Sequence, residues 1–334
     1  MIRKIKRITA IMAAAVIVLG LVLACPVLSE AQNAKYYGAL HVKGADLVDK
    51  TGKKVQLRGV SSHGIAWFPE YVSNKSLKSV KNTFHANVFR IACYTDEYGG
   101  YCNGGNKMKL EKTIDTGVKA AVRNKMYVII DWHILNEHPN PLDHKKAAVN
   151  FFKKMSKKYS KYANVIYEIC NEPNGGTSWS DIKKYSKAVI PAIRKNAPDS
   201  VVIVGTPTWS QDVDRAAASP LKYRNVMYAF HFYANTHRDD MRRRVETAHK
   251  NGLPIFVSEF GTCDASGNGG FNAKESDKWI RLLDKLGISY VNWSLCNKAE
   301  TASIIKPDCK KTYGWKQSDL TASGKWLYEV RGVR

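Results

Sequence analysis

Two glutamates, Glu172 and Glu259, each lie at or near the end of a strand-like aliphatic run. Glu172 ends the stretch VIYEICNE, and Pro173 directly after it stops the chain from continuing into a helix or a longer strand. Two carboxylates that converge can cleave a glycosidic bond, because one protonates the leaving oxygen while the other attacks the anomeric carbon or activates water. We therefore expect these glutamates to form a hydrolytic pair. The alternative is an ionic network that ties two strands together.

Polar side chains lie near the ends of six of the strand-like runs, including the two that carry Glu172 and Glu259. A hydrogen-bonded polar group at a strand terminus would explain any one of them, but six such groups in succession predict a shared site. The residues are Arg90, Asp131 with His133, Asn171 with Glu172, His231 with Tyr233, Glu259, and Asn292 with Trp293.

The elements that must position these residues alternate along the chain from residue 55 onward. Short β-rich runs separated by amphipathic stretches predict βαβ units and a parallel sheet. Eight units within about 250 residues fit an α/β fold of the closed (β/α)8 TIM-barrel type better than an open doubly wound sheet, and no GxGxxG follows a run. The runs are VQLRGV, NVFRIA, YVIIDWH, VIYEICNE, VVIVGT, VMYAFHFY, PIFVSEFG and YVNWSLCN, and the amphipathic stretches include 110–124, 145–162, 181–196, 239–251 and 274–286.

A barrel brings the polar residues together, because active sites of this fold lie at the carboxyl ends of the strands. Before the first unit, residues 38–57 contain two alternating segments joined by an Asp-Lys-Thr-Gly turn. This pattern predicts an N-terminal β-hairpin that closes the barrel floor.

Strand alternation predicts which side chains face the barrel mouth. In YAFHFY, His231 and Tyr233 should face the mouth, while the two phenylalanines pack against helices. In FVSEFG, Val257 should share a face with Glu259, and Ser258 should face away together with the two phenylalanines.

The first residues have the anatomy of a secretory leader. A basic start, MIRKIKR, precedes an apolar stretch at 8–24 that is slightly short for a membrane span, and Ser29-Glu30-Ala31 supplies a cleavage site. We predict a signal peptide at 1–31 and a secreted protein with one catalytic domain at 32–334, since no linker or repeat divides the remainder. The alternative is a surface lipoprotein acylated at Cys25.

The formal net charge is +23, which by itself would suit nucleic acid. However, the sequence has no basic helix or aromatic-bearing strand face of the kind that nucleic-acid-binding proteins use, so this class is excluded. Attraction to anionic cell-wall polymers is the better explanation of the charge. We expect a monomer.

Seven cysteines become six without the leader, and an exported chain permits disulfides without requiring them. Cys93 and Cys102 flank a short loop and are the best predicted pair, whereas Cys170 lies in a strand and is expected to be an inert thiol. The connectivity of the remaining cysteines stays open. No CxxC or His/Cys ligand spacing occurs, so we expect no metal and no cofactor.

Several segments together resemble a known enzyme family. YEICNEPNG resembles the acid/base signature of glycoside hydrolase family 5, and PIFVSEFGT is similar to its nucleophile strand. The order and spacing of VQLRGVSSHGIAW, VIIDWHI, GTPTWSQDV, YAFHFYA, DASGNGG and VNWSLCNK are similar to the bacterial cellulase branch of that family, from about residue 38 to 330.

The resemblance implies a role for each matched residue. Glu172 would be the acid/base, and Glu259 would be the nucleophile of a retaining mechanism. Arg90 and Tyr233 would hold Glu259, and Asn171 would bind the sugar 2-hydroxyl. The remaining matches are His133 and His231 near the reacting bond, Trp293 as the floor of the cleaved-bond subsite, His63, Trp67 and Tyr94 as the non-reducing-side wall, Trp209 as the leaving-group platform, and Lys298 and Glu300 as ligands of outer hydroxyls.

The resemblance implies an endo-β-1,4-glucanase that hydrolyses cellulose and related β-glucans. A mannanase, lichenase or xyloglucanase of the same family is the nearest alternative, because substrate choice depends on loops. A non-catalytic glycan-binding barrel is a second alternative, but it should have lost a glutamate. Phe260, Cys263 and Cys296 depart from the common family pattern, which leaves the outer subsites open.

Overall fold

The computed structural model describes residues 37–332 of the chain. The predicted leader at 1–31, and Cys25 within it, lie outside the described residues, so the leader stays a prediction. Among residues 37–332, no helix is both long and apolar enough to cross a membrane.

A β-hairpin precedes the barrel, as predicted, but its turn differs. Strands β1 (His41–Lys43) and β2 (Asp46–Val48) pair antiparallel and are joined by Gly44-Ala45. The Asp-Lys-Thr-Gly turn follows β2 and brings Lys54 back to form an isolated bridge with Val48. The predicted joining turn is therefore wrong, because two short reversals occupy the segment in place of one.

Eight parallel strands close into a barrel, in which the last strand pairs with the first. This confirms the (β/α)8 prediction, and each of the eight runs contributes one strand. The strands are β3 (Arg58–Ser62), β4 (Val88–Tyr94), β5 (Tyr127–His133), β6 (Val165–Glu168), β7 (Val202–Val204), β8 (Val226–Tyr233), β9 (Ile255–Gly261) and β10 (Tyr290–Leu295).

Helices follow the strands around the barrel. They are α1 (Asn74–Thr83), α2 (Lys107–Arg123), α3 (Lys145–Lys158), α4 (Trp179–Arg194), the short segments α5 (Pro207–Ser210) and α6 (Val213–Ala218), α7 (Asp239–Lys250), α8 (Ala273–Leu286) and α9 (Ala322–Gly332), with 3-10 turns at Pro69–Tyr71 and Gln317–Asp319. Local chemistry sets their ends: Ser178 and Asp181 form a capping box before α4, and Gly287, at φ 71°, ends α8 in the left-handed region.

Buried side chains form two layers. Inside the barrel, Leu47 and Leu57 from the N-terminal segment pack with inward residues of the strands, including Tyr127 and Ile129, so the floor is closed as predicted. Outside the strands, a larger apolar cluster fills the space beneath the helices. In that cluster, Phe232 of β8 stacks on Trp279 of α8 with ring centroids 4.0 Å apart.

The parity prediction is confirmed for β8 and wrong for β9. On β8, the two phenylalanines lie in the outer cluster, and His231 contacts Glu172 inside the mouth. On β9, Val257 lies in the outer cluster, whereas Ser258 and Glu259 both point into the barrel. The cause is a bulge, because the register of β9 shifts by one residue against β8.

The six described cysteines are free thiols, so the predicted Cys93–Cys102 disulfide is wrong. Cys93 is buried on the outer face of β4, inside the apolar layer, whereas Cys102 only packs against the edge of that layer. Flanking a short loop is therefore not sufficient for pairing. Cys170 is buried as predicted, and burial raises the pKa of its thiol.

Candidate active site

A cleft of about 700 Å³ lies at the carboxyl ends of the barrel strands. The resemblance gives a role to fourteen residues, of which Arg90 and Asn171 are fully buried and do not line the cleft; Asp131 and Asn292, also predicted for the site, are buried as well. The other twelve line it together: His63, Trp67, Tyr94, His133, Glu172, Trp209, His231, Tyr233, Glu259, Trp293, Lys298 and Glu300.

The two glutamates predicted to form a hydrolytic pair, Glu172 and Glu259, meet in this cleft. A carboxylate oxygen of Glu172, one of Glu259 and a ring nitrogen of His231 all lie within 4.8 Å of one another. Glu172 comes from the loop after β6, and Glu259 comes from the bulged part of β9. The barrel thus brings together two acids that are far apart in the chain.

Glu259 is held by two hydrogen bonds, one to each oxygen. Arg90 Nη1 donates to Oε2 at 3.0 Å, and the Tyr233 hydroxyl donates to Oε1 at 2.8 Å. These contacts fix the orientation of the carboxylate, which lines the cleft.

Glu172 has a different environment. The residue is 7% exposed, and Oε1 lies 2.8 Å from His231 Nδ1. Burial raises the pKa of Glu172 to about 7, and the nearby charge of Glu259 adds to the shift. Burial lowers the pKa of His231, but the adjacent carboxylates outweigh it and raise that pKa to about 9. The pair can therefore hold and release a proton near neutral pH.

Glu168 is a functional candidate that the sequence analysis missed. It is fully buried on β6, where Arg90 Nε donates to Oε2 at 2.6 Å and the Ser258 hydroxyl donates to Oε1 at 2.6 Å. Burial raises the pKa of Glu168, but Arg90 and His231 outweigh it and lower that pKa to about 2. The signal was available, since an acid lies two residues after Ile166 in an aliphatic run and shares its inward parity.

Arg90 is the hub of the buried network. Its guanidinium contacts the carboxylates of Glu168 at 2.6 Å, Glu259 at 3.0 Å and Asp131 at 3.1 Å, and it donates to Asn171 Oδ1 at 2.5 Å. Burial raises the pKa of Asp131, and the carboxylates around it add to that effect. One cation thus holds three acids beneath the cleft.

His133 and Asn171 form the next part of the network. Burial, with the charge of Arg90, lowers the pKa of His133 to about 3, so the ring is neutral. Its Nδ1 lies 2.6 Å from Asp131 Oδ2, and its Nε2 lies 3.3 Å from Asn171 Nδ2. A neutral ring that donates from Nδ1 to the carboxylate and accepts at Nε2 satisfies both contacts.

Aromatic rings form the walls and floor of the cleft. Trp293 stacks on His133 with centroids 5.2 Å apart, and Trp67 packs against Tyr94 at 4.7 Å. Trp209 is 41% exposed, and its backbone N–H donates to Pro173 O at 3.1 Å. Thr208, Trp209 and Ser210 have φ values of 57°, 53° and 57°, so this turn lies wholly in the left-handed region. This strained turn is fastened to the loop that carries Glu172.

The outer part of the cleft contains the predicted charged pair. Lys298 Nζ lies 2.6 Å from Glu300 Oε2, and His63 Nε2 lies 3.7 Å from Oε1 of the same glutamate. Phe260 packs in the outer apolar cluster with Cys296, and Cys263 is buried against the aromatic rings. The three residues that depart from the family pattern therefore do not line the cleft.

Comparison with known proteins gives a consistent result. The family "Cellulase (glycosyl hydrolase family 5)" matches residues 48–299. The chain is 47% identical over 298 residues to Endoglucanase A of Butyrivibrio fibrisolvens, covering 88% of this chain and 69% of the relative. It is also 47% identical over 305 residues to an endoglucanase of Clostridium saccharobutylicum, covering 91% of this chain and 67% of the relative.

A solved structure shares the same fold. The catalytic domain of Thermobifida fusca endoglucanase Cel5A, in a complex with cellotetraose, superposes with a TM-score of 0.84 at 35% identity. The match covers 89% of this chain and 98% of that domain.

Proposed function

The chain belongs to glycosyl hydrolase family 5 and is a glycoside hydrolase, and from this premise we propose that it is a retaining endo-β-1,4-glucanase acting on cellulose and related β-glucans. The observation that carries the proposal is the approach of Glu172 and Glu259 within 4.8 Å in a cleft walled by aromatic rings. The endoglucanase relatives and the cellotetraose complex of the similar domain support a β-glucan as substrate.

The separation of the carboxylates favours retention of anomeric configuration. Retaining glycosidases place the two carboxyl groups about 5–5.5 Å apart, whereas inverting enzymes need roughly 6.5–9.5 Å to admit a water molecule. One oxygen of Glu172 and one of Glu259 lie within 4.8 Å of each other, which is closer than the inverting range. Proton NMR of the first product formed from a cellooligosaccharide should show the β-anomer, and an initial α-anomer would contradict retention.

The proposed reaction has two steps. Glu259 attacks the anomeric carbon while Glu172 gives its proton to the leaving glycosidic oxygen, so that a glycosyl ester forms and the aglycone departs. Glu172 then takes a proton from water, whose oxygen attacks the same carbon and releases Glu259. Arg90 and Tyr233 hold the nucleophile throughout, and Trp293 supports the sugar ring at the reacting bond.

Activity should fall above neutral pH, because Glu172 must carry a proton for the first step. Since the pKa of Glu172 is about 7, kcat/KM on a cellooligosaccharide should decrease about tenfold per pH unit well above that value. A pH profile between 5 and 10 on stable enzyme checks this. A profile that stays flat to pH 10 would remove Glu172 from the role of acid.

The aromatic platforms favour cleavage within a polymer. Trp67 follows β3 and Trp209 follows β7, and these strands lie opposite each other in the closed barrel. Both rings and both carboxylates line the same cleft, so sugar units can bind on both sides of the bond that is cut. An enzyme of this geometry shortens chains from the interior.

Replacing Trp209 by alanine should weaken the leaving-group side of the cleft. Burial of an aromatic face is worth about 1.5–3 kcal/mol, so kcat/KM on a long oligosaccharide should fall at least about tenfold. Cellobiosides with small aryl leaving groups should be hydrolysed almost normally, because they do not extend to Trp209. Tyr162→Ala, at an exposed ring near the barrel floor, is the matched control. Equal losses on both substrates would contradict the assignment.

Viscosity and reducing ends, measured together, test the proposed activity. Carboxymethylcellulose should lose viscosity before many reducing ends appear, and barley glucan should be cut as well, whereas Glu259→Gln should do neither. Faster cutting of mannan would favour the mannanase alternative. Tight glycan binding by the parent without any hydrolysis would favour the non-catalytic barrel.

Export and association are further proposals. The basic, apolar and small-residue order of the first 31 residues supports secretion, and the charge of about +20 that residues 32–334 keep, +23 less +3, supports attraction to anionic cell-wall polymers. The mass of the protein recovered from culture medium tests cleavage of the leader, and sedimentation at low and high salt tests both the monomer and the attraction.

A further inference from the structure

A cluster of two histidines and an aspartate lies outside the catalytic network. Asp96 belongs to the loop after β4, and His138 and His144 belong to the loop after β5. One ligand atom from each of the three residues lies within 4.8 Å of the others. We propose that this cluster binds one divalent transition-metal ion, with Zn²⁺ as the preferred ion.

The carboxylate of Asp96 is the first argument. Asp96 is 5% exposed, and His144 Nε2 lies 2.7 Å from both of its oxygens. One N–H can satisfy only one oxygen, and Oδ2 has no hydrogen-bond donor of its own in the described chain. A buried carboxylate oxygen without a hydrogen-bond partner is unfavourable. A cation that takes the place of the hydrogen between His144 Nε2 and the carboxylate would satisfy it.

The donor set is the second argument. The rings of His138 and His144 are 5.3 Å apart, and Asp143 Oδ2 lies 3.8 Å from His138 Nδ1, so a second carboxylate is available. Imidazole nitrogens combined with carboxylate oxygens suit Zn²⁺ and its transition-metal neighbours, whereas Ca²⁺ and Mg²⁺ prefer oxygen alone. Lys146 lines the adjacent groove with His144, and its charge should keep the affinity moderate.

Sequence patterns predicted no metal because they rest on cysteine motifs and on ligands close together in the chain. Here the ligands come from two different loops. Glu97 and Asn136, which are close in sequence to Asp96 and His138, line the catalytic cleft. A bound ion would therefore connect the two loops that form one side of that cleft.

Calorimetric titration of the metal-free, tag-free chain with ZnCl₂ tests this site. We expect the parent to bind one Zn²⁺ with a low-micromolar Kd outside the cleft, and Asp96→Asn and His138→Ala each to weaken that binding at least about tenfold. His41→Ala is the control, and it should bind as the parent does. Glu259→Gln tests whether the ion is held instead by Glu172, His231 and Glu259. Binding at that catalytic cluster should be weakened by Glu259→Gln and by neither Asp96→Asn nor His138→Ala.

Thermal unfolding supplies a second readout. Zn²⁺ should raise the Tm of the parent and of His41→Ala, but not that of His138→Ala. The proposal is overturned if the parent binds no Zn²⁺, if His138→Ala binds as tightly as the parent, or if only Glu259→Gln reduces binding.

A different observation supports a second inference, which rests on the proposed function. A chain of hydrogen bonds connects Glu168 to the acid/base residue: the Ser258 hydroxyl donates to Glu168 at 2.6 Å, His231 Nε2 lies 2.9 Å from Ser258 Oγ, and His231 Nδ1 lies 2.8 Å from Glu172. We infer that Glu168 and Ser258 are positioning residues that keep the Nε2 hydrogen of His231 on Ser258, so that Nδ1 faces Glu172 and shares a proton with it.

The donor directions follow from the charges. Arg90 lies 2.6 Å from Glu168 and keeps it ionised, so Glu168 accepts the hydroxyl hydrogen of Ser258. The Ser258 oxygen must then accept the Nε2 hydrogen of His231. The proton that His231 and Glu172 share therefore lies between Nδ1 and the carboxylate, and when it is on Glu172, Nδ1 accepts a hydrogen bond from that acid.

Ser258→Ala should impair only the step that needs the proton of Glu172. We expect kcat/KM on a cellooligosaccharide to fall at least about tenfold, with an earlier decline at alkaline pH. On a dinitrophenyl cellobioside, whose leaving group needs no protonation, kcat/KM should stay within about threefold of the parent. Glu168→Gln should show the same split between substrates.

The two substrates separate the possible outcomes. Equal losses on both would show general structural damage and overturn the positioning role, as would unchanged activity on both. A parent that hydrolyses neither substrate would instead contradict the proposed function itself. Glu172→Gln provides the reference for complete loss of the acid.

Discussion

Glu259→Gln is expected to lower kcat on a β-glucan by at least about 10⁴-fold, while the protein stays folded. The amide keeps the shape of the side chain: its oxygen can accept a hydrogen bond from Arg90, and its NH₂ can donate to the hydroxyl oxygen of Tyr233. It cannot form the glycosyl ester, however, because the neutral amide oxygen is a poor nucleophile. Initial rates on a cellooligosaccharide, together with circular dichroism, measure the two properties separately.

Covalent trapping makes this test specific. A 2-fluoro cellobioside with an activated leaving group should add one glycosyl mass to the parent, and peptide mapping should place it on Glu259. Glu259→Gln should not be labelled, whereas Glu246→Gln, in a surface ion pair of α7, should be labelled like the parent. Label on any other residue would show that the nucleophile is wrongly assigned.

Arg90→Met is expected to lower the free energy of unfolding by about 3–5 kcal/mol at pH 7, because removing one partner of a buried ion pair leaves uncompensated charge. Arg90 is fully buried and contacts Asp131, Glu168 and Glu259. Within residues 37–332, His231 is the one other basic side chain that forms an ion-pair contact with Glu168. Urea unfolding followed by fluorescence gives the measurement.

The pH dependence of this loss has a defined sign. In the parent, the pKa of Glu168 is lowered to about 2, so its stabilising contribution is present above the ordinary value of 4.5 and is lost as pH falls towards 2. The difference between parent and Arg90→Met should therefore shrink from pH 7 to pH 4. Arg58→Met, which breaks a partly exposed pair with Asp284, should cost only about 0–1 kcal/mol. A cost for Arg90→Met no larger than this control would contradict the buried hub.

The barrel and its catalytic end could be predicted because both leave local signals. Aliphatic runs that alternate with amphipathic stretches fix the order of strands and helices, and the fold places the end of every run at the same rim. His231 and Tyr233 faced the mouth as strand alternation predicted, because β8 is regular through that region. The same rule failed on β9, where Val257 faces outward.

What could not be predicted depends on contacts between distant segments. The bulge of β9 is defined only against its neighbours, so alternation within FVSEFG could not reveal it. The inward parity of Glu168 could be predicted, but its role could not, because its partners Arg90 and Ser258 come from two other strands. Similarly, the turn of the hairpin was misplaced because Gly44-Ala45 and the Asp-Lys-Thr-Gly segment are equally good turn sequences.

The irregularity of β9 also limits how this catalytic centre could be transplanted. Ser258 and Glu259 are neighbours in the chain, yet both reach the interior, and they do so only because one extra residue is accommodated there. A designer who copied the side chains onto an evenly pleated strand of another scaffold would turn one of the two towards the helices. The backbone distortion must be copied along with the side chains.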